Sequence, residues 1–210
     1  MVNSSGSAGW SDFRRETFGD PYSVWHDGAD FTVLRQRWDT DPEHVESMLR
    51  TGLTEADPLA AQAIEVLLRT GGGPQEVRQS LELALHDATG TFRVRVAQAL
   101  LFVTGDQRYA QAICDVLVDG PHWADRADAA IALNGFEPTP RVVSALAAAV
   151  QDEEYLVRRH SAQSLLTLAR RYTTIEHVPE LWAKIKTGSA AQQWRDAADE
   201  LVQPWAAGGS

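Results

Sequence analysis

A four-residue sequence motif rich in small residues, which we call the phrase, occurs five times along this 210-residue chain. Its copies read Ala-Gln-Ala-Ile, Ala-Gln-Ala-Leu, Ala-Ile-Ala-Leu, Ala-Gln-Ser-Leu and, more faintly, Ala-Asp-Glu-Leu, and they begin at Ala61, Ala97, Ala130, Ala162 and Ala198. The starting positions are 36, 33, 32 and 36 residues apart. A period in the thirties is typical of stacked helical repeats, in which each unit buries its apolar face only against its neighbours. We therefore expect one all-α repeat array.

Each phrase falls in the second helix of a predicted helix–turn–helix pair. Glycines just past helices and prolines just inside them mark the ends, and Pro204 is expected to end the last helix. The predicted pairs are Pro42–Leu53 with Pro58–Thr70, Pro74–His86 with Phe92–Thr104, Gln107–Val118 with His122–Asn134, Pro140–Val150 with Tyr155–Arg170, and His177–Lys186 with Ala190–Val202. The small residues of the phrase let the helices approach closely, and its Leu or Ile fills the space between units.

The fourth pair carries a resemblance to a known family. The segment Tyr155–Ala169 is similar to the second helix of a HEAT-like repeat, particularly the short bacterial form also found in phycobilin lyases. Arg93 and Arg126 stand at the position of Arg158. The resemblance covers about residues 42–202 and implies a right-handed α-solenoid of about five HEAT-like pairs. It also implies that these arginines tie one unit to the next, and it leaves activity open because such arrays serve as scaffolds, inhibitors and a few enzymes.

The first 38 residues have a different composition. Seven aromatic residues lie from Trp10 to Trp38, with five carboxylates among them. One interpretation is a cap over the open apolar end of the first unit, which a solenoid requires. The other is an acidic, aromatic hook for a basic partner. We favour the cap, with a helix over 29–38, and expect three segments: a flexible start and cap at 1–38, the repeat array at 39–204 and a tail at 205–210.

The overall charge and composition exclude several classes of protein. The net charge of −10 disfavours binding to nucleic acid, whose phosphates require cations. No stretch approaches the roughly 20 apolar residues of a membrane span, and the polar start is unlike a secretory signal. The single cysteine, Cys114, excludes an internal disulfide and a thiolate-rich metal site. We expect a cytoplasmic bacterial protein.

The second helices also predict a binding surface. The second residue of each phrase should point outward, on the concave side of the stack. Residues one helical turn before and after it should lie on the same side. The predicted surface comprises Gln62, Arg95, Gln98, Phe102, Asp128, Arg159, His160, Gln163, Thr167, Arg195 and Asp199, with Ile131 interrupting the glutamines. Donors, acceptors and an aromatic ring suit a protein or peptide partner. The alternative is a solvated face without a ligand.

Signals for catalysis are weak. No two of the six histidines are spaced i, i+4, as two metal ligands on one helix face would be. Cys114 lies on the apolar side of a predicted helix, where cysteine packs as a small hydrophobe. The glycines Gly71, Gly72 and Gly73 are not followed by the lysine of a phosphate loop. We predict no catalytic residue, no metal site and no cofactor.

These patterns favour a non-catalytic protein- or peptide-binding module. One concrete version is a bacterial inhibitor, immunity-type or adaptor protein whose acidic surface steers and occludes a basic toxin or nuclease. The alternative is an enzyme or enzyme accessory factor on the same scaffold, either lyase-like or a metal-dependent hydroxylase. The sequence leaves the partner's identity and the oligomeric state open.

Overall fold

The structure, a computed structural model, describes residues 9–20, 22, 24, 28–74, 76–171, 173–188 and 191–206. Twelve α-helices and no strands are present in these residues, which confirms the all-α class. The helices are α1 (Trp10–Phe18), α2 (Thr32–Thr40), α3 (Pro42–Thr54), α4 (Pro58–Arg69), α5 (Arg78–Asp87), α6 (Gly90–Thr104), α7 (Ala110–Asp119), α8 (Trp123–Ala132), α9 (Pro140–Ala149), α10 (Tyr155–Leu168), α11 (Pro179–Ile185) and α12 (Ala191–Ala206). Short 3-10 turns follow at Gln107–Tyr109, Leu133–Gly135 and Ile175–His177.

The ten helices predicted for the five pairs all occur, and their ends and neighbours differ from the prediction in several places. The first helix of the second pair begins at Arg78 rather than Pro74. The expectation that Pro204 ends the last helix is wrong, because α12 continues to Ala206 with Pro204 inside it. Proline has a helical φ and in the last turn removes only one hydrogen bond. Helix α1 was not predicted, and α2 lies two to three residues later than the segment expected over 29–38.

Side-chain caps explain where three helices begin. Asp41, Asp57 and Thr139 each precede a proline at the first helical position and accept a hydrogen bond from a backbone N–H of that first turn. The acceptor-to-nitrogen distances are 3.1 Å, 2.9 Å and 3.4 Å. A capping oxygen satisfies one of the orphan donors of the helix, and proline has no N–H to satisfy. These starts are therefore encoded locally.

The contacts divide the chain into two compact units. Unit 1 is Met1–Ala88 with Ala99–Gly105, and unit 2 is Thr89–Gln98 with Asp106–Ser210, so α6 contributes to both. In unit 1, α3 packs against α1, α2, α4 and α5. The predicted segment boundaries at residues 38 and 204 stay predictions, and the chain ends at 1–8 and 207–210 lie outside the described residues.

A buried tryptophan fastens α1 to the α3–α4 turn in unit 1. Trp10 is 2% exposed and donates its indole N–H to Asp57 Oδ2 at 2.9 Å. The same oxygen lies 2.8 Å from Arg14 Nε. A Cβ at Gly52 would lie 2.7 Å from both the Trp10 ring and the Ala60 Cβ. Only glycine therefore lets the ring lie flat on α3.

Other aromatic rings of the N-terminal segment are also packed inside. Phe13 and Phe18 are 2% and 5% exposed, whereas Tyr22 is 69% exposed. Buried rings cannot contact a partner unless the segment unfolds, so Trp10, Phe13 and Phe18 behave as core residues. This burial favours the cap over the hook for α1. Trp25, another ring of the predicted hook, lies outside the described residues.

Unit 2 is built from two layers of helices. The first helices α7 and α9 pack against each other, as do the second helices α8 and α10, and each first helix packs against its own second helix. Ser164 of α10 donates its hydroxyl to the Ala130 carbonyl of α8 at 2.7 Å, which joins two consecutive phrases directly. The last hairpin differs, because α12 packs against both α9 and α10.

The expected packing role of the phrase is confirmed. Each of its small residues and each closing Leu or Ile is at most 3% exposed: Ala61, Ala63, Ile64, Ala97, Ala99, Leu100, Ala130, Ala132, Leu133, Ala162, Ser164, Leu165, Ala198 and Leu201. Small side chains let helix axes come close, so the branched residue one turn on can interdigitate.

The three arginines at the repeated position each reach the next hairpin, as the resemblance implies. Arg93 Nε donates to the Ala112 carbonyl of α7 at 3.3 Å. Arg126 binds the Asp152 carboxylate, after α9, through Nε at 2.8 Å and Nη2 at 3.0 Å. Arg158, 2% exposed, donates Nε to the Ile185 carbonyl at the end of α11, 3.0 Å away. Each arginine ties a second helix to the hairpin that follows.

Arg158 is held most completely of the three. Its Nη1 donates to the carbonyls of Asp152 and Glu153 at 2.8 Å, and its guanidinium lies 4.1 Å from the centroid of the Trp194 ring. Burial lowers its pKa, and the charges of Asp152 and Glu154 oppose that shift. A buried cation requires such partners to offset its desolvation.

We predict that Arg158→Met lowers the free energy of unfolding by about 3 kcal/mol, because one buried and two partly buried carbonyl oxygens lose their donor. The matched control is Arg108→Met. The Arg108 side chain is 89% exposed, so its substitution should leave stability almost unchanged. Urea denaturation measures both variants. Equal effects of the two changes would contradict a tie through Arg158.

We also predict that Trp10→Ala destabilises unit 1 by about 3 kcal/mol, because it opens a cavity and leaves Asp57 with one donor fewer. Tyr22→Ala, at an exposed ring of the same segment, should cost less than about 1 kcal/mol. Thermal and urea unfolding report the difference. If Trp10→Ala leaves the unfolding curve unchanged, α1 does not act as a cap.

Candidate binding surface

Five residues of the predicted surface meet in unit 2, where charges alternate across consecutive second helices. Arg95 Nη2 of α6 lies 3.6 Å from Asp128 Oδ2 of α8, which also accepts the Thr91 hydroxyl at 3.1 Å. Arg159 Nη2 of α10 lies 2.6 Å from Glu176 Oε1. We call Arg95, Asp128, Arg159 and Glu176, with Gln98 and His160 beside them, the polar row. These ion pairs are partly exposed, so they organise the surface more than they stabilise it.

The start of α6 explains how Arg95 is positioned opposite Asp128. The Thr91 N–H and hydroxyl both donate to Asp125 Oδ1 of α8, at 3.1 Å and 2.8 Å. Gly90 has φ +52°, and a Cβ there would lie 2.6 Å from Asp125 Oδ2. Asp125 thus caps a helix other than its own. Residues 125 and 128 of α8 meet residues 91 and 95 of α6 in the same order, so the two helices run parallel.

The prediction that the glutamines of the phrase point outward is corrected for Gln98 and Gln163. Both side chains form hydrogen bonds within unit 2. Gln98 is half-buried and accepts a hydrogen bond from Arg95 Nη1 at 2.9 Å. Gln163 is also half-buried, donates to the Thr173 carbonyl at 3.0 Å and accepts the Ile175 N–H at 2.9 Å. The segment after α10 forms no regular helix, so its backbone polar groups need other partners. The Gln163 side-chain amide supplies them and thereby fixes the segment against α10.

Thr167 and Ile131 differ in what they offer a partner. Thr167 is half-buried, and its hydroxyl donates a hydrogen bond to the Gln163 carbonyl at 3.0 Å. Ile131, one turn after Asp128 on α8, is 43% exposed. The polar row therefore carries an exposed branched aliphatic side chain beside it, between helices that provide charged groups.

Four predicted surface residues lie elsewhere. Gln62 is half-buried on α4 in unit 1. Phe102 is 39% exposed, and the Arg69 guanidinium lies 4.6 Å from the centroid of its ring. Arg195 donates to Gln192 within α12 at 2.9 Å, and Asp199 is exposed on the same helix. Among the described residues, neither of these two α12 side chains is hydrogen-bonded to the polar row.

Sequence reasoning missed Glu176, Thr91 and Asp125. Glu176 pairs with Arg159 from a 3-10 turn 17 positions further along, and no periodicity connects the two. Asp125 directly precedes Arg126 in the sequence, yet Arg126 binds Asp152 instead. A threonine and glycine at the start of α6 signal a helix start, but the cap comes from another helix, so no local pattern could have identified it.

His160 is a titratable group of the row whose pKa is shifted by its surroundings. Burial lowers the pKa of its imidazole, and the neighbouring positive charge of Arg159 lowers it further. The charges of Asp128 and Glu176 act in the opposite direction. The ring is therefore neutral at pH 7, with one nitrogen as donor and the other as acceptor. A neutral imidazole adds hydrogen-bonding capacity to the row without adding charge.

Groups suited to catalysis or metal binding do not converge on the row. No cluster of three or more His, Cys, Asp or Glu side chains suited to a metal ion occurs in the described part of the chain. Cys114 is fully buried, and burial raises the pKa of its thiol to about 11, so the reactive thiolate is scarce at neutral pH. None of the helices in the described ranges is both long and apolar enough to span a membrane.

Comparison with known proteins finds no significant match for this chain among family models, curated proteins or solved structures. The HEAT-like resemblance therefore stays an inference from residues 42–202, and function must be inferred from the contacts of the chain's own residues.

We predict that stability falls as the pH drops below about 6.5, because the folded state holds His160 at a lower pKa than the unfolded chain does. Below that pH the unfolded state binds more protons than the folded state does. Protonation therefore lowers the free energy of the unfolded state by the larger amount. This stability is complete above the ordinary pKa of histidine and is lost as the pH falls towards the folded pKa. His160→Gln should flatten the dependence of the unfolding free energy between pH 7 and pH 5.

The control for this prediction is His86→Gln. The His86 side chain is 85% exposed, so its substitution should leave the slope unchanged. Urea denaturation at a series of pH values measures the slope. An unchanged slope in His160→Gln would show that His160 is not the titrating group.

Proposed function

We propose that this chain is a HEAT-like repeat protein, a right-handed solenoid of about five helix pairs, that recognises a protein or peptide through its second helices. Support for the repeat comes from Arg93, Arg126 and Arg158, each of which contacts the hairpin that follows. Buried phrase residues at the same positions of each second helix add to it. Equivalent contacts at a fixed period are what a stack of similar units requires.

The observation that carries the binding proposal is Ile131. Its side chain is 43% exposed beside the polar row. It is the second residue of its phrase, the position that Gln98 and Gln163 occupy in the phrases before and after it. Asp128 lies one turn before it on α8, and Arg95 and Arg159 of the row lie on α6 and α10. An apolar centre within a polar rim is the usual anatomy of a protein interface. Single exposed aliphatic residues are common, so the ordered row around Ile131 is what makes this one informative.

The polar row is also held ready for contact. Arg159 is fixed by Glu176, Arg95 is fixed by Asp128 and Gln98, and Gln163 holds the segment that carries Glu176. Side chains that are already ordered lose less entropy on binding. Gln163 and Gln98 thus act as positioning residues, while Arg95, Asp128, Arg159 and His160 are the groups that would contact the partner.

The net charge suggests the class of partner. A chain with a net charge of −10 attracts basic proteins over long range and repels acidic ones. We therefore favour a basic partner, and a bacterial cytoplasmic inhibitor or immunity-type protein that occludes a basic toxin is the concrete version. Gln62, Phe102, Thr167, Arg195 and Asp199 remain predicted members of the surface. An adaptor role fits the same contacts, and the enzyme alternative stays a prediction without an assigned site.

The test uses a phage-displayed random peptide library panned against the folded protein. We predict that enriched peptides lose affinity at least about tenfold in Ile131→Glu, the effect of losing an interface contact worth about 1.4 kcal/mol. The matched control is Leu83→Glu, which places the same charge at an aliphatic residue that is 70% exposed in unit 1. Fluorescence anisotropy measures the affinities, and circular dichroism checks the fold.

Two results would argue against recognition by the second helices. One is a library selection that enriches no peptide. The other is a set of enriched peptides that bind Ile131→Glu and Leu83→Glu equally well.

A further inference from the structure

A second surface lies at the turns that connect first and second helices in unit 2. Arg126 Nη1 donates to the Gly120 carbonyl in the α7–α8 turn at 2.9 Å, while its Nε binds Asp152 in the α9–α10 turn at 2.8 Å. One guanidinium thus touches both turns, so they lie side by side. We call residues 118–123 together with 151–156 the turn edge.

Apolar side chains are exposed on both turns of this edge. Val118, at the end of α7, is 53% exposed, and Trp123, at the start of α8, is 45% exposed. Leu156, at the start of α10, is 38% exposed. An exposed tryptophan is uncommon on a monomer surface and is the residue type most enriched at binding hot spots.

Acidic side chains surround these apolar residues. Asp119, Glu153 and Glu154 are exposed within the same two turns. Glu154 lies close enough to Arg126 that, after the Asp152 hydrogen bond, its charge also contributes to the raised pKa of that guanidinium. The bases nearest the edge are engaged, since Arg126 is paired with Asp152 and Arg158 is buried. The exposed Asp119, Glu153 and Glu154 therefore leave the edge with a negative balance.

The turns are rigid enough to present these groups. The Glu154 N–H donates to Asp152 Oδ1 at 2.8 Å, which closes the α9–α10 turn. Gly120 is tightly packed, because a Cβ there would lie 2.4 Å from the Val116 carbonyl oxygen. Since Asp152 accepts bonds from Arg126 and from the Glu154 N–H, the backbone that carries Glu153 and Glu154 is held in place.

We propose that the turn edge of unit 2 docks a basic, amphipathic segment of a partner protein, with apolar residues of the segment on Trp123, Val118 and Leu156 and its Lys or Arg side chains facing Asp119, Glu153 and Glu154. Charge complementarity selects this occupant. A second copy of the same chain would place acid against acid at the edge, and an anionic membrane surface would be repelled. The Trp123 face adds attraction for a cation.

The centre of this surface, at Trp123, lies away from Ile131, whereas Leu156 lies one turn before Arg159 of the polar row on α10. Ile131 follows Trp123 by eight residues of α8, which is about 12 Å at the helical rise of 1.5 Å per residue. The proposal therefore does not depend on recognition through Ile131, and the two can fail independently.

The probe is a fluorescein-labelled synthetic peptide of alternating Lys and Leu pairs, with a Glu/Leu peptide of the same pattern as its counterpart. We predict that the full-length protein binds the Lys/Leu peptide and not the Glu/Leu peptide. The double substitution Glu153→Gln with Glu154→Gln should weaken binding at least about fivefold and reduce its dependence on salt. Trp123→Ala should weaken it to a similar extent.

The matched control is Glu43→Gln with Glu55→Gln, which removes the same charge from exposed carboxylates in unit 1 and should leave affinity within about twofold. Ile131→Glu should also leave it unchanged. Anisotropy gives the affinities and circular dichroism the fold, and the glutamine pair tests the proposal if Trp123→Ala is unstable.

Three results would overturn the proposal. Equal binding of the Glu/Leu peptide would show contact through apolar surface alone. Equal losses in the two glutamine pairs would show attraction by net charge rather than by the turn edge. Sedimentation showing self-association that Trp123→Glu abolishes would assign the edge to a second copy of the chain.

Discussion

Guanidinium groups that reach from one hairpin into the next determine how unit 2 is assembled. Arg126 joins the α7–α8 and α9–α10 turns, and Arg158 joins α10 to the end of α11. Each cation replaces its lost hydration with carbonyl or carboxylate oxygens, so it holds only when both hairpins are in place. The polar row and the turn edge both depend on this registration, because both use groups from neighbouring second helices.

Apolar packing supplies the complementary constraint. The alanines and serine of the phrase bring α8 and α10 close enough for Ser164 to reach the Ala130 carbonyl. Leucines one turn on then fill the space between the layers. Close approach of the helices leaves no room for larger side chains between them. Differences between the repeats are therefore confined to the ends and outer sides of the helices. The two proposed surfaces lie there, one around Ile131 and the other at Trp123.

The fold was predictable largely because its signals are local and repeated. Asp41, Asp57 and Thr139 each precede a proline and begin a helix, and the phrase marks each second helix. The position of Arg158 also indicated its structural role through the resemblance. By contrast, α1 was missed because no side-chain cap and no proline mark its start, although its buried residues Trp10, Phe13, Thr17 and Phe18 follow helical spacing. The reach of α12 past Pro204 was missed because one lost hydrogen bond at a helix end costs little.

The candidate surface was predictable only in part. Spacing placed Arg95, Asp128 and Arg159 on neighbouring helices, but it could not tell that Gln163 would turn back to Thr173 and Ile175. By itself, the sequence determined the helices, their pairing and the residues of the core, because these follow from periodicity and caps. Only the tertiary structure decided which polar groups are used internally and which carboxylates surround Trp123. Those partners come from other helices, so their choice depends on how the hairpins pack.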